Sequence, residues 1–224
     1  MKNIPCKWQG CWLVLLGCIL LLTGCARTAP VSYYQLSAQE AARNVLAGAE
    51  AGKMVLGIGP VRLPEYLDRP QIVTRLTANR LQLADSQRWA EPLGENILRV
   101  LGENISALLG TERILLYPWP TSRATDYQLL VEVLHFENES DGAARLVALW
   151  SVKGKDGAMV LEERRSSHLI PAPSRDQEGQ VGALNAALGS FCREISQALM
   201  PLLGQVSVSG LWGSAGGEVA LYES

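Results

Sequence analysis

Two stretches in which apolar residues return every third or fourth position restrict what this chain can become. Between Glu91 and Leu109, Leu93, Ile97, Leu101, Ile105 and Leu108 fall at steps of four, four, four and three, the spacing that puts them on one face of an α-helix. Gly110 follows as a C-terminal stop. From Val181 the pattern returns through Leu184, Leu188, Phe191, Ile195, Leu199 and Leu202, predicting a second amphipathic helix that ends near Gly204. A helix with one apolar stripe needs a surface on which to bury it. Residues 32–36, 54–58, 72–76, 81–83, 113–117, 127–136, 146–152 and 159–170 read as strands that supply this surface. A turn near residues 77–79 joins two of them. Lys155, Asp156 and Gly157 join the last pair, because Asp-Gly readily adopts the positive φ angles of tight turns. The predicted fold class is α/β (α+β), a single domain with a mixed β-sheet of about five to seven strands packed with two main amphipathic helices.

The N-terminus has a different character. Lys2 and Lys7 precede a run from Cys11 to Leu22 that carries no charge, the layout of a secretory signal peptide over residues 1–24. Its 12 residues fall short of the roughly 20 that a membrane-spanning helix needs. Leu22, Thr23, Gly24 and Cys25 close the run and match, position by position, the lipobox of bacterial lipoprotein precursors. The Cys25 sulfur is a nucleophile that can carry a diacylglyceryl group, and cleavage before it frees an amine for a further acyl chain such as palmitate. Stable anchoring takes at least two chains. Ala26 stands where an Asp commonly signals retention at the inner membrane in this class, so the implied address is the outer membrane, facing the periplasm. Residues 25–30 are then an acylated anchor and short tether, 31–204 the folded domain, and 205–224 a flexible Gly- and Ser-rich tail. Residues 37–52, rich in Ala, Glu and Gly, predict a mobile connection with some helical tendency.

Cys6, Cys11 and Cys18 leave with the signal peptide and Cys25 is acylated, so Cys192 is the one cysteine left for the fold. A lone thiol makes no internal disulfide, and the core must hold the structure. Cys192 lies beside Phe191 and Ile195 on the helical apolar face and reads as a small buried hydrophobe.

Several chemistries find no support. Without Lys2 and Lys7 the chain carries 18 basic and 22 acidic residues, with no basic stripe of the kind nucleic acid requires. Gly57, Ile58 and Gly59 start like a dinucleotide fingerprint, but Pro60 follows and Arg62 stands in place of the third glycine. His135 and His168, the two histidines, lack zinc-ligand spacing. Ser167, His168 and Asp176 suggest a nucleophile set, yet strand neighbours point to opposite faces and no nucleophile elbow is present. Glu137 with Glu139, and Glu162 and Glu163 beside Arg164 and Arg165, read as surface charge. The expectation is no catalytic residue, no metal and no cofactor.

Four groups of residues together resemble the ABC-type transport auxiliary lipoprotein components, a PqiC-like family, over roughly residues 31–204. They are Tyr33 to Leu36; Gly57 to Val61, continuing through Leu63, Pro64, Tyr66, Leu67, Asp68, Arg69 and Pro70 to Ile72, Val73 and Arg75; Arg88 to Leu93; and Tyr117, Pro118 and Trp119 with Trp150. The resemblance implies a non-enzymatic outer-membrane part of an MCE/ABC-type system that moves lipids or other hydrophobic molecules between membranes. Its implied partners are an MCE-domain protein that bridges the periplasm and an inner-membrane permease, and it leaves room for a homo-oligomeric ring. The alternatives are a lipid-binding carrier with its own hydrophobic pocket and, behind it, a lipoprotein enzyme. Tyr66, Leu67, Asp68 and Arg69 lie between prolines, where a loop can meet a partner. Equally, Tyr66 can plug the core while Asp68 pairs with Arg69 or Arg62. Trp89, ahead of Glu91 and Pro92, marks a helix entrance and reads as packing.

Overall fold

Strand β6 (Tyr127–Glu139) is the spine of the molecule. One of its edges pairs antiparallel with β7 (Ala144–Gly154) from Tyr127↔Gly154 to Asn138↔Ala144, and β7 pairs antiparallel with β8 (Met159–Ile170). The other edge is shared by two strands. β2 (Leu56–Arg62) runs parallel to its first half, from Leu56↔Tyr127 to Arg62↔Glu132. β3 (Gln71–Thr77) runs parallel to its end, at Thr74↔Asn138 and Arg75↔Glu139. Beyond β2 lies β5 (Ile114–Leu116), and beyond β3 lie β4 (Arg80–Trp89) and β1 (Ser32–Tyr34). The mixed sheet thus forks at β6. A loop between Pro64 and Pro70 crosses from one arm to the other. The computed structural model describes residues 30–39 and 54–209, with side chains through Leu202; the signal segment, the lipobox, most of the 37–52 connection and residues 210–224 lie outside them.

The sheet holds eight strands because the three-residue segments β1 and β5 both find partners at the outer edges of the arms. Among the described residues its two helices are α1 (Leu93–Leu109) and α2 (Gln177–Ser209). Helix α1 covers β2 and β5, while α2 covers β6, β7 and β8 and packs against α1. The stripes seen in the sequence are the buried ones, except that Leu108 and Leu202 are only partly covered. Leu93, Ile97, Leu101 and Ile105 meet Leu184, Leu188, Phe191, Ile195 and Leu199 in one core with Leu129, Val131, Phe136 and Trp150 of the sheet. Gly110 ends α1 in a left-handed conformation, φ 65°, with its N–H bonded to the Ser106 carbonyl. Asp176 opens α2 by accepting the Gly179 N–H at 2.8 Å, as an N-cap does.

The end of α2 departs from the sequence reading. The helix passes Gly204 and continues through Ser209, with Pro201 inside it, so residues 205–209 are helix rather than flexible tail. A glycine inside a helix costs only about 1 kcal/mol relative to alanine, and Leu199 and Leu202 before it pack on the core.

Three asparagines fasten the chain after β1. The Leu36 N–H donates to Asn96 Oδ1 at 2.7 Å, and Asn96 Nδ2 donates back to the Leu36 carbonyl at 3.2 Å. The Ser37 N–H donates to Asn185 Oδ1 and the Gln39 N–H to Asn104 Oδ1. Residues 36–39 are therefore held by both helices through side chains that act as a strand partner would.

Candidate functional site

At the fork β6 loses its neighbour on one side, and its backbone there needs other partners. The Pro64–Pro70 loop provides one. The Tyr66 hydroxyl lies 3.1 Å from the Leu134 carbonyl and 2.9 Å from Glu137 Oε2. Glu137 is 0 % exposed. It also receives Arg75 Nε at 2.6 Å, the Phe136 N–H at 2.8 Å and His135 Nδ1 at 2.9 Å, and the Arg75 guanidinium lies 5.7 Å from the centre of the Tyr66 ring. Burial, then the neighbouring Glu137 charge, pushes the Tyr66 phenol well above its usual range, so it stays a neutral donor. Burial works against the Arg75 charge, and the bond to Glu137 more than restores it. Glu137 is thus no surface carboxylate, as its position beside Glu139 had suggested. A register shift between Val133 and His135 changes which side chains face inward beyond it.

This cluster decides what the proline-bracketed loop presents. Tyr66 is half-buried and tied to β6. Leu67 is 2 % exposed and belongs to the core. Asp68 is exposed, Arg69 is partly buried, and Asp68 makes no ion pair with Arg69 or Arg62. Of the four candidate contacts, the packing role falls to Tyr66 and Leu67 and the outward role chiefly to Asp68. Cys25 and the rest of the lipobox, Leu22, Thr23 and Gly24, lie outside the described residues. Trp89 is buried, as expected from its place before the helix.

Asp68 faces an open cleft of about 330 Å³ where parts of three of the resemblance-bearing stretches meet. Pro60 and Val61 come from β2, Pro92, Gly94, Glu95 and Leu98 from the entrance of α1, and Tyr117 and Pro118 from the turn after β5. The glycines of β2 find their reason here. A Cβ on Gly57 would come within 2.6 Å of the Trp119 ring, and one on Gly59 within 2.8 Å of the Tyr117 Cβ. Gly59 also has φ 107°, which favours glycine on backbone grounds alone. The Gly-Ile-Gly stretch therefore seats two aromatic residues while Ile58 fills the core. Tyr117 donates its N–H to the Ile58 carbonyl at 3.0 Å and packs edge-on to Trp119, with ring centres 5.8 Å apart. Tyr117 itself remains 47 % exposed. Sequence reasoning noted Tyr117 and Trp119 without linking them to the glycines, because only the parallel pairing of β2 and β5 brings them together.

The imagined nucleophile set does not assemble. His168 Nε2 and the Ser166 hydroxyl both bond Glu194 of α2, at 3.1 and 2.7 Å, and Trp150 Nε1 bonds Ser166 at 2.8 Å. Ser167 points the other way and is exposed, and Asp176 caps α2. Cys192 is fully buried, and burial pushes its thiol up to about 12.

Comparison with known proteins identifies the family. The chain is 26 % identical over 140 residues to the intermembrane transport lipoprotein PqiC of Escherichia coli K12, covering 62 % of this chain and 72 % of that protein. PqiC of Shigella flexneri matches to the same extent. Two crystal structures share the fold: an uncharacterised protein at 20 % identity and TM-score 0.63, covering 76 % of this chain and 99 % of that one, and a Xanthomonas campestris protein at 18 % and 0.62, covering 80 % and 99 %. Residues 34–196, from β1 into α2 and including the fork and the cleft, match the family model described as ABC-type transport auxiliary lipoprotein component, and the chain belongs to that family.

Proposed function

We propose that this protein is an outer-membrane lipoprotein, anchored through acylated Cys25, that docks the periplasm-spanning MCE-domain partner of an intermembrane lipid transport system and catalyses no reaction itself. The observation that carries the reading is the family match over residues 34–196, in a fold whose first strand begins at Ser32. Ser32 follows Cys25 so closely that the connecting chain reaches at most about 25 Å when extended. A domain held that near the bilayer is placed to cap or receive from a bridging partner rather than to shuttle across the periplasm. The carrier alternative gains less support. The four described clefts measure about 290 to 460 Å³, all open at the surface and partly lined by charged groups, whereas the interior is filled by Trp150, Phe136, Phe191 and their neighbours.

The test has two parts. Cys25→Ser should release the protein from the outer-membrane fraction of a density gradient, and unchanged fractionation would refute the anchor. Crosslinking of the unaltered protein in intact cells should recover an MCE-domain protein. Recovery of a stoichiometric lipid with no protein partner would replace docking with carriage.

A further inference from the structure

We propose that the cleft between Asp68, Glu95 and Tyr117 receives a peptide segment of the periplasmic partner in which a Lys or Arg sits beside an apolar side chain. This rests on the docking reading above and specifies its contact. The cleft joins two surfaces that pull in different directions. Its apolar part, Val61, Leu98, Pro118 and the exposed face of Tyr117, favours an apolar occupant. Its charged part is Asp68 and Glu95, two carboxylates without an ion pair.

Covering those carboxylates with apolar groups alone would strip their water and return nothing, and an acidic occupant would repel them. A cationic side chain supplies the missing charge and can also stack on the Tyr117 ring. The other three described clefts mix signs: Arg62 and Lys153 with Glu132 and Glu163, Lys155 with Asp126 and Asp156, and Arg113 and Arg123 with Glu112. Charge of a single sign is found in this cleft among the four. Its walls are also set in advance. The loop carrying Asp68 is pinned by Tyr66 on Glu137, and Tyr117 is held by the Ile58 carbonyl and Trp119. Walls that need no ordering lower the cost of binding. A volume of about 330 Å³ admits one or two side chains rather than a folded element.

The experiment uses the full lipidated chain in intact cells, with the photoreactive residue p-benzoylphenylalanine placed at Tyr117 or, as a control, at Leu169, which is 58 % exposed on β8. Crosslinked peptides are identified by mass spectrometry. The expected result is a partner peptide captured at position 117 with a Lys or Arg near the crosslinked residue. Asp68→Lys combined with Glu95→Lys should lower its yield by about tenfold or more, with unchanged abundance and membrane fractionation, while Asp68→Glu with Glu95→Asp retains it. A captured peptide without a basic residue, a yield indifferent to charge reversal, or adducts only with lipid or with a second copy of this chain would overturn the proposal. Capture of the MCE partner at position 169 but not at 117 would overturn the cleft and leave docking standing. Absence of that partner at both positions, and in crosslinking of the unaltered protein, would sink docking and the cleft together.

Discussion

The loop from Pro64 to Pro70 touches two kinds of carboxylate, and their surroundings could hardly differ more. Glu137, under Tyr66, is wholly buried and receives Arg75, Tyr66, His135 and the Phe136 N–H. Asp68, two residues after Tyr66, is exposed and makes no ion pair, as is true of Glu95 across the cleft. The same functional group therefore serves opposite ends. Where water is gone and donors converge, a carboxylate locks backbone to backbone. Where water remains, it adds almost nothing to stability and is free to meet a partner. The loop needs both, since the buried cluster fixes the position from which Asp68 faces outward.

The largest effect that can break this comparison is expected at the buried end. Glu137→Ala takes the buried carboxylate from Arg75 Nε and leaves the Phe136 N–H without its acceptor, and urea unfolding should show a loss of about 3–5 kcal/mol. A loss under about 1 kcal/mol would mean that water already reaches the fork. Tyr66→Phe removes one donor and uncovers the Leu134 carbonyl, so the same measurement should give about 1–3 kcal/mol.

Burial acts on Cys192 in the same sense. The folded state holds its proton up to about 12 instead of 9.0, so above pH 9 the unfolded chain binds fewer protons than the folded one. The contribution of this thiol is complete below that pH and falls by about 1.4 kcal/mol per pH unit as the pH climbs toward 12. Stability curves of the protein and of Cys192→Ala should converge over that window; parallel curves would refute burial as the cause. The smallest effect belongs to the exposed end. Asp68→Ala should change unfolding stability by no more than about 0.5 kcal/mol, and a loss as large as that of Glu137→Ala would erase the contrast.

Local pattern carried much of this fold. Both helical stripes, the Gly110 stop, the Lys155-Asp156-Gly157 turn and the burial of Cys192 and Trp89 follow from spacing and residue type, because each is decided by near neighbours in the chain. The misread parts depend on distant ones. Glu137 reads as surface charge until the register shift near His135 turns it toward the fork, where Arg75 and Tyr66 arrive from 62 and 71 residues away. Asn96 and Asn104 interrupt an apolar helix face for no local reason, and their purpose is the backbone of Leu36 and Gln39. The Gly57 and Gly59 pair explains itself only once Trp119 and Tyr117 lie upon it.

By itself the sequence determined the elements and the kind of protein: two one-sided helices, a set of strands, a buried Cys192 on a helical apolar face, and motif stretches particular to a transport auxiliary lipoprotein. These are properties of consecutive residues, fixed by helical and strand periodicity and by which side chains avoid water. Tertiary structure alone decided that β6 would carry two arms, that Glu137 would be sealed while Asp68 faced out, and that parts of three motif stretches would share one cleft. The physical reason is that hydrogen bonding and burial are settled by which strands meet. Several pairings satisfy the same local pattern, and the folded sheet realises the one in which the buried Glu137 carboxylate at the fork meets Arg75, Tyr66 and the Phe136 N–H.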